Sequence, residues 1–97
     1  MEHRQLELYR HRIDEIDARI VALLLERMEV CAEVSDYKQA NGLPVLAADR
    51  EAALLETLAK RAGETHAAAV QSIYRTILSE SRAYQNRLRA LPQETDR

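Results

Sequence analysis

The chain contains no phenylalanine or tryptophan, and its four tyrosines bring aromatic residues to only 4% of 97 positions. A core must therefore be built from Leu, Ile, Val and Ala, which is the composition of a helix bundle. Glycine and proline are scarce, with two of each, and none falls between Leu6 and Asn41. The one cysteine, Cys31, has no internal disulfide partner, which fits a reducing compartment. Long apolar runs are missing too. The longest, Ile20 to Leu25, is far too short to span a bilayer, and the charged N-terminus lacks the apolar core of a signal peptide, so a cytoplasmic protein is expected. Neither sign of charge dominates: charged residues make up 31% of the chain, yet the net charge is −2, with bases interleaved among acids. Phosphate backbones need a clustered positive surface, so nucleic acid is not an expected partner. There is no Gly-rich phosphate loop, and His3, His11 and His66 lack metal-ligand spacing, so no metal or cofactor is expected.

What is present is a long helical seam. Leu6, Tyr9, Ile13, Ile16, Ile20, Leu23, Arg27, Val30, Val34 and Tyr37 follow one another in steps of three and four. That is the heptad pattern of a helix laid against other helices. Arg27 is the misfit. An unpaired guanidinium on a buried seam costs several kcal/mol, so the seam must supply an anion there, either a carboxylate or a bound ligand.

The rest of the chain reads as two further helices in a single domain, 1–97. Residues before Leu6 carry no pattern and are expected to fray. Helix 1 spans about 6–41 and stops at Asn41-Gly42, where Gly42 takes a left-handed cap and Pro44 forces Leu43 into extended geometry. Helix 2, about 47–62, starts where Asp49 offers a carboxylate to the first backbone donors, buries Leu54, Leu55, Leu58 and Ala62, and ends at Gly63. Helix 3, about 66–90, is expected to be capped by Thr65 and to carry a ladder of Val70, Ile73, Ile77, Ser81, Tyr84, Leu88 and Leu91, before a polar tail, 92–97, read as disordered. Helix 1 would be roughly 50 Å long, against about 26 Å for a compact monomer of this size. A second copy is therefore expected to cover it, in an intertwined two-fold dimer.

The polar residues on these seams have ordinary readings. Lys38, near the end of helix 1, suits the last carbonyls of the helix dipole, and Arg27 has Glu26 and Glu51 as possible partners. Ser81 is the type of residue that bonds its own helix backbone, with Gln85 one turn on. Arg27 and Lys38 are also eleven residues apart, about 20° of rotation and about 16 Å of rise, so they share a face and can converge on one small anion. Arg10 lies too far along to join them within one chain, but an antiparallel partner helix brings back its copy.

These residues carry a resemblance. Arg10, then Ile13-Asp14-Glu15-Ile16-Asp17, Leu23-Leu24-Leu25-Glu26-Arg27, Lys38, Pro44-Val45 with Asp49-Arg50-Glu51, and Ser81 with Gln85 resemble the all-helical chorismate mutase family from about Leu8 to Gln85. The resemblance implies an all-α fold, a three-helix protomer with a long first helix in an intertwined six-helix homodimer with two shared active sites, and a monofunctional enzyme rearranging chorismate to prephenate. It implies that Arg27 and the partner copy's Arg10 hold the two substrate carboxylates, and that Lys38 and Gln85 donate to the ether oxygen. Glu51 would meet the ring hydroxyl, Arg50 would support the polar wall and Ser81 would assist a carboxylate. No nucleophile, metal or cofactor is needed; the flexible dianion must be folded and its developing charge met by fixed donors.

One position departs from the family pattern. Where members often carry Asp, this chain has Ala47, which leaves open whether the C4 substituent is hydroxyl or amino. Related branches act on 4-amino-4-deoxychorismate or as isochorismate-pyruvate lyases; Ser81 beside Gln85 favours the mutase over the lyase. The rival from another class is a non-catalytic helical dimerisation module, which treats Arg27 and Ser81 as register-fixing residues but gives Lys38, Glu51 and Gln85 no common purpose.

Overall fold

The computed structural model describes residues 3–91, and the polar tail expected to be disordered lies outside them. Among the described residues the chain forms three α-helices: α1 (Arg4–Ala40), α2 (Ala48–Ala62) and α3 (Ala67–Ala90). The helix α1 starts two residues before the expected position, with Arg4 and Gln5, expected to fray, in its first turn, opened by a bond from Glu7 N–H to the His3 carbonyl at 3.0 Å. Two compact units divide the chain, Met1–Val30 and Cys31–Arg97.

In the first unit the seam of α1 faces outward in the isolated protomer. Ile13 is 54% exposed, Ile16 45%, Ile20 47% and Leu23 63%, where an expected core seam would be covered.

The second unit holds the end of α1, a short connection, and the α2–α3 pair. Gly42 closes α1 as its composition suggests: at φ +69° it allows Leu43 N–H to reach the Lys38 carbonyl at 2.7 Å and Gly42 N–H the Gln39 carbonyl at 3.3 Å. These two bonds are a Schellman closure. The start of α2 is less conventional. Its N-cap is Ala47, which has no side-chain cap, and Asp49 and Glu51 place negative charge in the first turn, where the helix dipole favours anions. The helix α3 likewise lacks the expected Thr65 cap. His66 occupies that position without a side-chain bond, because the backbone turns first through His66 N–H to the Gly63 carbonyl at 3.2 Å.

The helices α2 and α3 pack against each other, with Leu54, Leu55 and Leu58 of α2 and Val70 and Ile77 of α3 half-buried and Leu78 buried. Gln71 Nε2 donates to the Leu55 carbonyl at 3.1 Å across the same joint. Ile73 and Leu91, expected on the buried ladder, are each 59% exposed in the protomer. The inward face instead runs through Tyr74, Leu78, Ser81 and Gln85, a steady three-to-four spacing that leaves Ile73 on its flank.

Candidate active site

The polar centre of the second unit is a stripe on α3. Ser81, Gln85 and Arg89 are four apart and so lie one turn above another on a single face. Ser81 is buried, and its Oγ donates to the Ile77 carbonyl at 2.9 Å, the self-bonding expected of a packing serine. Gln85 is buried to 7% exposure, yet its Oε1 has no hydrogen-bond partner among the described residues. A buried acceptor left in that state costs about 1–3 kcal/mol. Arg89 ends the stripe: its Nη2 donates to the Leu43 carbonyl at 2.6 Å, while its buried Nε finds no partner among the described residues.

The connection between α1 and α2 is held from two sides. Lys38, half-buried in the last turn of α1, donates from Nζ to the Val45 carbonyl at 2.8 Å, and its own carbonyl receives Leu43 N–H. Arg89 holds Leu43 from α3. The ammonium of Lys38 is thus braced by one of its three donors and keeps two for other acceptors. The sequence reading of Lys38 as a partner for the last helical carbonyls is replaced by this longer reach into the connection.

Glu51, half-buried in the first turn of α2, accepts at Oε1 from Nη1 of Arg82 on α3. The sequence offered Glu51 as a partner for Arg27; the structure gives it Arg82, a residue that reading did not single out. The bond places the Glu51 carboxylate against the same turn of α3 that carries Ser81. Ala47, half-buried, contributes only its carbonyl, which accepts Glu51 N–H at 3.0 Å, and Arg50 is exposed.

The two arginines assigned to carboxylate binding lie in the first unit. Arg10 is exposed and pairs with Glu7 at 3.4 Å, an i,i+3 contact between side chains 61% and 68% exposed, and such a pair holds a side chain only weakly. Arg27 is half-buried.

Lys38, Glu51, Ser81 and Gln85 all lie in the second unit and carry an ammonium, a carboxylate, a hydroxyl and an amide. That set is suited to orienting a polar molecule and stabilising charge. Among the described residues no group of three or more His, Cys, Asp or Glu side chains is arranged to hold a metal ion. No helix among them is long and apolar enough to cross a membrane.

Comparison with known proteins matches residues 9–86 to the family described as chorismate mutase type II. The T-protein of Enterobacter agglomerans is 33% identical over 87 residues, covering 84% of this chain and 22% of that protein. The T-protein of Haemophilus influenzae is 32% identical over 80 residues, covering 79% and 21%. The chain thus spans about a fifth of the length of these curated relatives. No solved structure matches it. With the family match extending over most of its length and enclosing every polar position described above from Arg10 to Gln85, the chain belongs to the chorismate mutase type II family.

Proposed function

We propose that the chain rearranges chorismate to prephenate, feeding the synthesis of phenylalanine and tyrosine. The observation that carries this reading is the family match over 9–86, which includes all eight positions assigned from the resemblance: Arg10, Arg27, Lys38, Ala47, Arg50, Glu51, Ser81 and Gln85. Local geometry supports it. The braced ammonium of Lys38 and the buried amide of Gln85 are the preorganised donors that an ether oxygen gaining negative charge requires. Glu51 accepts from the ring hydroxyl, Ser81 assists a carboxylate and Arg50 adds positive charge to the polar wall. Arg27, with Arg10 from a second copy, supplies two guanidinium forks for the substrate carboxylates, geometry that a fork meets better than a point charge.

The shared site requires a homodimer of intertwined three-helix protomers. The exposed seam of α1, including Ile13, Ile16, Ile20 and Leu23, supports that assembly, since a contiguous apolar surface of this kind marks an interaction face. A cytoplasmic location accords with a single cysteine.

The test is direct turnover. The purified chain is incubated with chorismate, and prephenate is measured by its acid-catalysed conversion to phenylpyruvate. Conversion well above the uncatalysed rate is expected; a rate equal to the uncatalysed one refutes the proposal and leaves a helical dimerisation module. Isochorismate run alongside separates mutase from lyase, the lyase releasing pyruvate.

A further inference from the structure

We propose that Arg82 is a specificity-determining residue that makes the site select a hydroxyl over an ammonium on the substrate ring. The inference rests on the reading above in which Glu51 meets that ring substituent. It starts from the pairing of Glu51 Oε1 with Arg82 Nη1 across α2 and α3. The two side chains are 22% and 33% exposed, so they are substantially withdrawn from water and screened less than a surface pair.

A carboxylate paired in this way keeps unused lone pairs, on Oε2 above all, and still accepts a hydrogen bond from a neutral hydroxyl. As a counter-ion it is already taken. A protonated aliphatic amine in the hydroxyl's place approaches Glu51 with Arg82 beside it, and the two cations repel across the carboxylate that both require.

Little nearby restores the balance: Asp49 shares the first turn of α2 but is exposed to solvent, where its charge is screened. Ala47, one turn before Glu51, brings no second carboxylate, and Arg50 adds another positive charge on the same turn of α2. Glu51 also lies in the first turn of α2, where the backbone itself presents partial positive charge. The loss of an acidic side chain at Ala47 and the presence of Arg82 therefore act in one direction: each lowers the affinity for a cationic substituent, and neither removes the acceptor that a hydroxyl needs.

The experiment compares kcat/KM for chorismate and 4-amino-4-deoxychorismate in the unaltered chain, Arg82→Gln and Arg82→Lys. Both substrates are read on one preparation, so any loss of folded protein cancels from the ratio. The unaltered chain is expected to favour the hydroxyl substrate by at least about tenfold. Arg82→Gln, which removes the charge, narrows the preference by at least about tenfold, whereas Arg82→Lys, which keeps it, retains most of the preference. An unaltered chain that converts chorismate but favours the amine, or an Arg82→Gln protein with an unchanged ratio, overturns the inference and leaves the proposed function standing. A chain that converts neither substrate removes both. Should Arg82→Gln fail to fold, the ratio of the unaltered chain decides, a preference below about tenfold counting against Arg82.

Discussion

Replacing Lys38 by alanine separates the job the structure gives this side chain from the one proposed for it. The first is mechanical: Nζ donates to the Val45 carbonyl at 2.8 Å and steadies the connection into α2. A hydrogen bond from a charged donor contributes about 1.5–3 kcal/mol. Leu46 beside Val45 is 53% exposed, so water can reach this part of the connection and the loss falls at the lower end, about 1.5 kcal/mol. At about 4–8 °C per kcal/mol for a domain of this size, thermal unfolding drops by roughly 6–12 °C. The second job is chemical. Donation to the ether oxygen strengthens as that bond breaks, so its loss appears in kcat, by at least about a hundredfold or roughly 3 kcal/mol. The two effects are measured apart, by thermal unfolding and by steady-state kinetics at a temperature where the variant is folded. Lys38→Arg keeps charge but spreads its donors over a wider plane, and recovers kcat only in part. A Lys38→Ala protein that loses thermal stability as expected while keeping kcat within a few fold refutes the catalytic role and leaves Lys38 as a brace.

Mixing Arg10→Ala with Arg27→Ala protein and refolding them together restores activity, because a heterodimer holds one site with both arginines; heterodimers shown to form without recovery refute the shared site. Light scattering at micromolar concentration finds a dimer, and Ile20→Glu, a charge placed on the exposed seam of α1, shifts it toward monomer. Gly42→Ala lowers unfolding free energy by about 1 kcal/mol in chemical denaturation; an added Cβ has nothing within 4 Å, so the cost is left-handed strain at φ +69° alone, and a neutral result refutes that account. Arg89→Ala releases the Leu43 carbonyl and speeds limited proteolysis in the connection 41–47, with Lys38→Ala, Arg89→Ala more susceptible still; equal digestion of all forms refutes the two-sided brace.

Much of this was readable in advance because helices write themselves at a fixed period. The seam from Leu6 to Tyr37 located α1, and Gly42 announced its end, since few other residues adopt a positive φ there. Ser81 stood out as a polar residue in an apolar slot, and Gln85 as the residue one turn above it. Arg89, four beyond Gln85, continues the same spacing and was within reach of the same reasoning. Arg82 was not, because a charged residue on a long helix reads as solvated until its partner on another helix is known. The caps failed for a related reason. Thr65 and Asp49 are the right residue types, but the turn at Gly63 and the backbone at Ala47 set the helix starts without a side-chain cap. Ser35, buried to 1% exposure on α1, carried no signal at all, being small enough to fit either surface or interior. Periodicity marks an apolar face without saying what covers it, and the α1 seam is exposed in the protomer.

The described part of the protomer buries one large apolar side chain, Leu78, below a tenth exposure. In the dimer proposed here most of the hydrophobic free energy is released on association, so the stability of this chain has no value until a concentration is stated. Each tenfold increase in chain concentration adds about 1.4 kcal/mol per mole of dimer, and the melting temperature rises with it. For that dimer, dilution would unfold as well as dissociate. In a cell the abundance of such a dimer would help to determine its own survival, since at low copy number more of it would be open protomers exposed to proteases.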